Sequence, residues 1–390
     1  MSAKSSPRVS VAQKKLSSVL AALQPICTKR STMDVTSSVF LHFSASELVV
    51  KSTDLEISLQ ASIPFESSSL KEPVSILVPG KRLFDLVREL DEELFFELNA
   101  QKIQIISGGT HATLAIQSPD AFPPFPERIE NLLCCPTQQL VNMLDSIVFM
   151  VPQNASNSAL NGLFVEIDKA GCSMTATDGH CLGHIKNSTW QLETRKTWLI
   201  PRRAVIELKK IIEELQQKNS DNQNDKNILI GVCGNQLVFS GETFNFFTKL
   251  LADQYPQYHP ILSFDGFSEG KISKTAFIKA LRRSASLLGQ QFLASRFSFE
   301  QEKQQLVLSF KNKEVGELQE VIKLDEFTGD SASMYLYAPY VISGIQNCVS
   351  TQQTTFLVKA ALKPFVIKFS LEEHVDGTYL VMPVSSQQAV

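Results

Sequence analysis

No stretch of this 390-residue chain approaches 18 consecutive apolar residues, which excludes a membrane-crossing helix. The opening residues Met1 to Arg8 are polar with no apolar core, so no secretory signal is expected. A disulfide framework is missing too. The seven cysteines are odd in number, with Cys134 and Cys135 adjacent and the others scattered, a usage that fits a reducing cytosol. Excess charge of one sign is also lacking. A net charge of -3 argues against a surface that coats nucleic acid as a whole, while leaving room for a local basic patch. Neither phosphate-cradling glycine loops, H-E-x-x-H nor C-x-x-C occurs. With six scattered histidines, no metal site and no cofactor is expected.

What remains is 43% apolar and 20% charged, the balance of a packed globular protein. Its clearest internal pattern is a strand entering a helix through proline, read three times. The copies start at Ser75, Thr197 and Met334, with prolines at Pro79, Pro201 and Pro339. Proline suits a helix start because its missing N–H has no partner there anyway.

Each copy follows an earlier helix (near 11–23, 137–151 and 274–288) and a pair of strands alternating with period two. Further strands come after it. A second echo, Ser52-Thr53-Asp54 and Ala176-Thr177-Asp178, closes corresponding strands. Turn residues gather at Asp120–Pro126 and again at Asp253–Pro260, and a solvated loop is expected at Ser220–Asn227. Two helices per copy among many strands predict an α+β protein with mainly antiparallel sheets, in three modules at 1–127, 128–265 and 266–390.

Charge is segregated. The six predicted helical segments sum to +7 and the remainder to -10. In the helix from Lys274, Phe277, Leu281, Ser284 and Leu288 share one face, while Lys279, Arg282 and Arg283 occupy the other. Such a face attracts a polyanion through sequence-independent, salt-dependent phosphate contacts.

The segment Thr177-Asp178-Gly179-His180 stays open to three readings: an acid–base pair, a turn made by Gly179, or part of a binding surface. No neighbouring Ser or Cys is identifiable as a nucleophile.

At this segment, with Ile200-Pro201-Arg202 and the closing Tyr379-Leu380-Val381-Met382-Pro383, the sequence resembles the bacterial beta sliding clamp family, the beta subunit of DNA polymerase III. Ser52-Thr53-Asp54-Leu55-Glu56, Leu160-Asn161-Gly162 and Val205-Ile206-Glu207-Leu208 fit it as well, in the same order from about Val9 to Val384.

The resemblance implies a non-catalytic cytoplasmic subunit: a head-to-tail homodimer closing into a ring, with basic helices lining the hole and sheets outside. It encircles double-stranded DNA and confers processivity on the replicative polymerase. Implied DNA contacts are Arg30, Lys81, Arg82, Arg202, Arg203, Lys279, Arg282 and Arg283. The ring would close near Leu114 and Leu287.

A pocket for short peptide motifs of the polymerase, the clamp loader and repair polymerases is implied at Leu160, Thr177, Gly179, His180, Leu182, Pro256, Ile261, Leu362, Pro364, Met382, Pro383 and Val384. Two departures stand out: Cys181 replaces a common arginine, and Ser385–Val390 extends past the usual end. The competing classes are a static, non-ring DNA-binding structural protein and a hydrolase using Asp178 and His180.

Overall fold

The computed structural model describes residues 8–27, 33–91, 93–99, 101–126, 128–217, 227–287, 294–312, 316–359 and 362–384. Arg30, Leu288, residues 220–226 of the expected loop and the 385–390 tail lie outside them.

Among the described residues there are six α-helices: α1 Gln13–Cys27, α2 Gly80–Arg88, α3 Thr137–Asp145, α4 Arg202–Ile212, α5 Lys274–Ser286 and α6 Ala338–Cys348. Each follows a strand directly or within one residue, and the order strand, helix, three strands, strand, helix, three strands runs three times along the chain, with the short strands Ser67–Ser68 and Glu326–Thr328 added in the first and third copies. The apolar stripes are buried as their spacing requires: Leu16, Leu20 and Leu23 on α1, and Phe277, Leu281 and Ser284 on α5. Ser273 caps α5, its hydroxyl accepting from the Ala276 amide.

Two helix boundaries differ from the pattern reading. α3 stops at Asp145, where the ladder tightens to an i→i−3 bond from Ile147 N to the Leu144 carbonyl, and a 3₁₀ turn Val148–Met150 follows. The proline echo slips in the third copy. Pro79 is the N-cap of α2 and Pro201 immediately precedes α4, whereas the N-cap of α6 is Tyr337 and Pro339 sits in the first turn. Both places tolerate proline because neither needs its amide hydrogen.

The chain divides into two compact units, residues 1–141 with 203–250 and residues 142–202 with 251–390. In the first, a five-stranded sheet runs Ser67–Ser68, Arg8–Ala12, Glu93–Leu98, Lys102–Ser107, Thr110–Ala115. Beside it in sequence, an eight-stranded sheet joins two four-strand blocks through the antiparallel pair Phe244–Lys249 and Ile57–Pro64. In the second unit a nine-stranded sheet joins its blocks through Cys181–Asn187 and Val375–Val381. A four-stranded sheet there runs Gly316–Lys323, Gln305–Asn312, Ser295–Glu300, Ala332–Leu336.

In the repeat, Thr110–Ala115 corresponds to the joining strands Phe244–Lys249 and Val375–Val381, and Gly316–Lys323 corresponds to Ile57–Pro64 and Cys181–Asn187. These two strands are sheet edges among the described residues. All seven cysteines are free thiols. No helix among the described residues is long and apolar enough to cross a membrane.

Candidate functional site

The Thr-Asp echo is one turn built twice. In the first unit the Asp54 Oδ1 accepts from the amides of Glu56 and Ile57, and Thr53 Oγ1 accepts from Leu55 N and donates to the Ile57 carbonyl. In the second unit Asp178 Oδ1 accepts from His180 N and Cys181 N, and Thr177 Oγ1 accepts from Gly179 N and donates to the Cys181 carbonyl. The third turn residue has positive φ in both, +76° at Leu55 and +90° at Gly179, and glycine adopts it without the Cβ penalty. The aspartate is therefore occupied with backbone amides. The His180 ring stacks over Tyr340 at 5.9 Å. This arrangement answers the open question in favour of a turn that places His180 on a surface.

That turn ends an apolar row. Thr177, Leu182, Leu380, Val366 and Leu357 are cross-strand partners in succession on five neighbouring strands of the nine-stranded sheet. Over the row lies a buried cluster of Leu182, Leu380, Val366, Leu199, Ala159, Tyr255 and Tyr258, with Leu160, Phe164 and Leu262 packed against it. Two residues further along each strand the row becomes polar: Thr175, His184, Thr378, Lys368 and Thr355.

Around the apolar end, three large aliphatic side chains face solvent: Leu362 at 83% exposure, Ile261 at 39% and Met382 at 38%. Pro256 is exposed, Pro383 and Val384 are half-buried, and Pro364 is buried. Met382 N donates to the His180 carbonyl and Val384 N to that of Tyr335, both at 2.8 Å, fixing the C-terminal strand end beside the turn. Covering exposed aliphatics of this size is worth about 1.5–3 kcal/mol each, so the surface favours an apolar occupant. Cys181 is buried, and burial pushes its thiol up to about 12.

The segment Tyr255–Leu262 forms one wall. Tyr255 stacks flat on Phe164, centroids 4.6 Å apart, and the Tyr258 hydroxyl donates to the buried Glu166 carboxylate. Arg195 and His259 also meet Glu166. Burial raises the pKa of both tyrosines, which keeps the phenols as donors. Tyr255, Tyr258 and Glu166 were not legible as site residues, although the Asp253–Pro260 turn cluster marked the segment of the two tyrosines.

Residues 8–126 match the family described as DNA polymerase III beta subunit, N-terminal domain, and residues 135–257 match its central domain, together more than half of the chain. The chain belongs to the DNA polymerase III beta subunit family. The beta sliding clamp of Pseudomonas putida is 24% identical over 363 residues, 92% of this chain and 94% of that one. That of Staphylococcus aureus is 24% identical over 377 residues, 95% and 96% of the two chains. Among solved structures, a Pseudomonas aeruginosa DnaN sliding clamp bound to griselimycin superposes with a TM-score of 0.85 at 21% identity, covering 97% of this chain and 100% of that one. The fold is that of the beta clamps.

In this beta-family chain the implied DNA-contacting residues fall into two groups. Arg203 pairs with Asp54 and donates to the Pro25 carbonyl at 3.2 Å; Arg202 Nε donates to the Val151 carbonyl at 2.8 Å. Arg283 grips Glu320 on the edge strand with both Nε and Nη2. Lys81 makes an exposed pair with Asp85. Arg82, Lys279 and Arg282 are exposed and have no salt-bridge partner among the described residues. Of the implied closure residues, Leu114 is half-buried on the edge strand Thr110–Ala115, and Leu287 is the C-cap of α5. The other edge strand carries Val321, 56% exposed.

Proposed function

We propose that this beta-family chain is a DNA sliding clamp: it closes with a second copy into a ring around double-stranded DNA and confers processivity on the replicative polymerase. The protein is a non-catalytic subunit of the polymerase III holoenzyme and works in the cytoplasm. Its three modules are 1–127, 128–265 and 266–390.

The observation that carries this reading is the pair of open edges. Every other block in the repeat joins its neighbour through the same two kinds of strand, and one of each kind, Thr110–Ala115 and Gly316–Lys323, is left open on its outer side among the described residues. Unlike edges on one chain make a head-to-tail contact, and a head-to-tail contact that closes is a ring. Leu114, Leu287 and Val321 accompany those edges.

The exposed cations Arg82, Lys279 and Arg282, with Lys81, supply weak contacts to phosphate that permit sliding. The surface of Leu160, Leu182, Pro256, Ile261, Leu362 and Met382 docks short apolar peptide motifs of polymerases and the loader. The test is retention on DNA after loading. A clamp stays on a closed circle at high salt and leaves once the circle is cut. Equal loss from circular and linear DNA would overturn the reading and favour a linear DNA-binding protein.

A further inference from the structure

The wall segment Tyr255–Leu262 has a counterpart in the first unit, and the two are fastened by different chemistry. In the first unit Phe122 lies over Phe40 at 5.3 Å, Phe125 meets Phe247 edge-on at 5.4 Å, and the Lys51 ammonium sits over the rings of Phe40 and Phe125. In the second unit Tyr255 lies over Phe164 in the place of Phe122 over Phe40. Tyr258 takes the place of Phe125 and adds a hydroxyl. The strand position of His42, which bonds Ser75, is taken by Glu166.

Glu166 is a buried carboxylate on a sheet face, a costly placement unless donors converge on it. Donors do converge, and from separate parts of the chain. Oε2 accepts from the Tyr258 hydroxyl and faces His259 Nε2 at 3.3 Å, while Oε1 accepts from Arg195. A cavity of about 290 Å3, bordered by Glu166, His184, Lys186, Arg195, His259 and Leu262, opens beside this cluster. The segment over the sheet is therefore tied to a carboxylate as well as stacked on a ring, where its counterpart is held by rings and the Lys51 ammonium. The exposed aliphatics Ile261, Leu362 and Met382 lie in the unit with the carboxylate; neither segment Asp120–Pro126 nor the strands beneath it presents one.

We propose that Glu166 is a positioning residue for the peptide-docking surface: through Tyr258, His259 and Arg195 it sets where the Tyr255–Leu262 segment stands over the apolar row, and with it Pro256 and Ile261. This rests on the docking reading above, and touches no peptide directly.

The test measures binding of a fluorescein-labelled peptide from the replicative polymerase to the full-length chain by anisotropy. Glu166→Ala weakens binding about tenfold and Tyr258→Phe about threefold. Glu166→Gln, whose amide oxygen still accepts the tyrosine hydroxyl, recovers most of the loss. Sedimentation shows dimerisation unchanged in all three, a split that a general loss of structure would not give. Tyr258→Phe removes one oxygen and guards against a failure of Glu166→Ala to fold. Affinity within twofold of wild type in both Tyr258→Phe and Glu166→Ala, or Gln no better than Ala, overturns the proposal. The Leu182→Ala, Met382→Ala double variant separates the two layers. If that variant loses the peptide and the Glu166 and Tyr258 variants do not, positioning fails alone. If the double variant also binds normally, the docking reading fails with it.

Discussion

Arg203, the second residue of α4, closes an ion pair on Asp54, whose side chain is completely buried in the turn after strand Glu47–Thr53. The arginine belongs to one of two basic pairs on its helix, and its guanidinium also donates to the Pro25 carbonyl near the end of α1. It ties three elements of the first unit together.

Arg203→Ala should therefore act on stability. Removing one partner of a fully buried pair costs about 3–5 kcal/mol; because Arg203 is a third exposed, a loss of about 2–3 kcal/mol is expected here. Burial raises the Asp54 pKa, but the Ile57 amide, Arg203 and the Glu56 amide outweigh it, so the carboxyl lies below its ordinary range. A depressed carboxyl contributes stability above its unfolded pKa that is lost as pH falls through the folded one. Urea unfolding at pH 7 and pH 3 should show the Arg203→Ala penalty shrinking in acid. A penalty under about 0.5 kcal/mol at pH 7, no more than an ordinary surface substitution costs, would refute the tie.

DNA binding should divide the basic residues. Each phosphate neutralised adds about 0.9 to the slope of log affinity against log salt. Lys279→Ala with Arg282→Ala should lower that slope by about 1.8. Arg283→Ala, already gripped by Glu320, should leave the slope nearly intact and loosen the edge strand instead. Titrations at several salt concentrations decide the matter, and equal slopes for the double variant and Arg283→Ala would contradict it.

For the docking surface, Leu182→Ala with Met382→Ala should weaken polymerase-peptide binding at least tenfold without altering dimerisation. Leu182 is part of the buried row and Met382 its exposed rim, so one variant removes floor and edge together. Unchanged peptide affinity by calorimetry would place the site elsewhere.

Acid should weaken the second unit through His184. Burial, together with the nearby His259 charge and against the pull of Glu166, pushes this imidazole down to about 4. Unfolded, it titrates near about 6.5. Between those values the unfolded chain binds more protons, so the contribution is complete above about 6.5 and drains away as pH falls to about 4. The urea midpoint of the wild type should drop more between pH 7 and pH 4.5 than that of His184→Gln. Parallel profiles would count against it.

Much of this was readable from local order. Strands Ser38–Phe43 and Gln236–Ser240 fall where period-two alternation put them, and the buried face of α5 follows from its turn angle. The resemblance supplied nearly all residues of the proposed docking surface. What escaped were groups whose meaning depends on distant partners. Glu166 reads as an ordinary outward strand residue until Tyr258, 92 positions away, arrives on top of it. Arg203 reads as a cation for DNA until Asp54, 149 positions away, claims it. The offset of Pro339 has the same root, since helix entry is set by the strand before it as much as by the proline.

With the ring closure proposed above, the two unlike edges make this chain, in the vocabulary of polymer chemistry, a bifunctional A–B monomer. Such monomers either cyclise or grow. Dilution favours the cycle, because an intramolecular closing step does not depend on concentration, and crowding favours extension. A copy with one edge capped becomes a chain stopper that poisons wild-type assembly in proportion to its amount. Replication would then depend on an economy of concentrations, in which an excess of clamp protein is as consequential as a shortage.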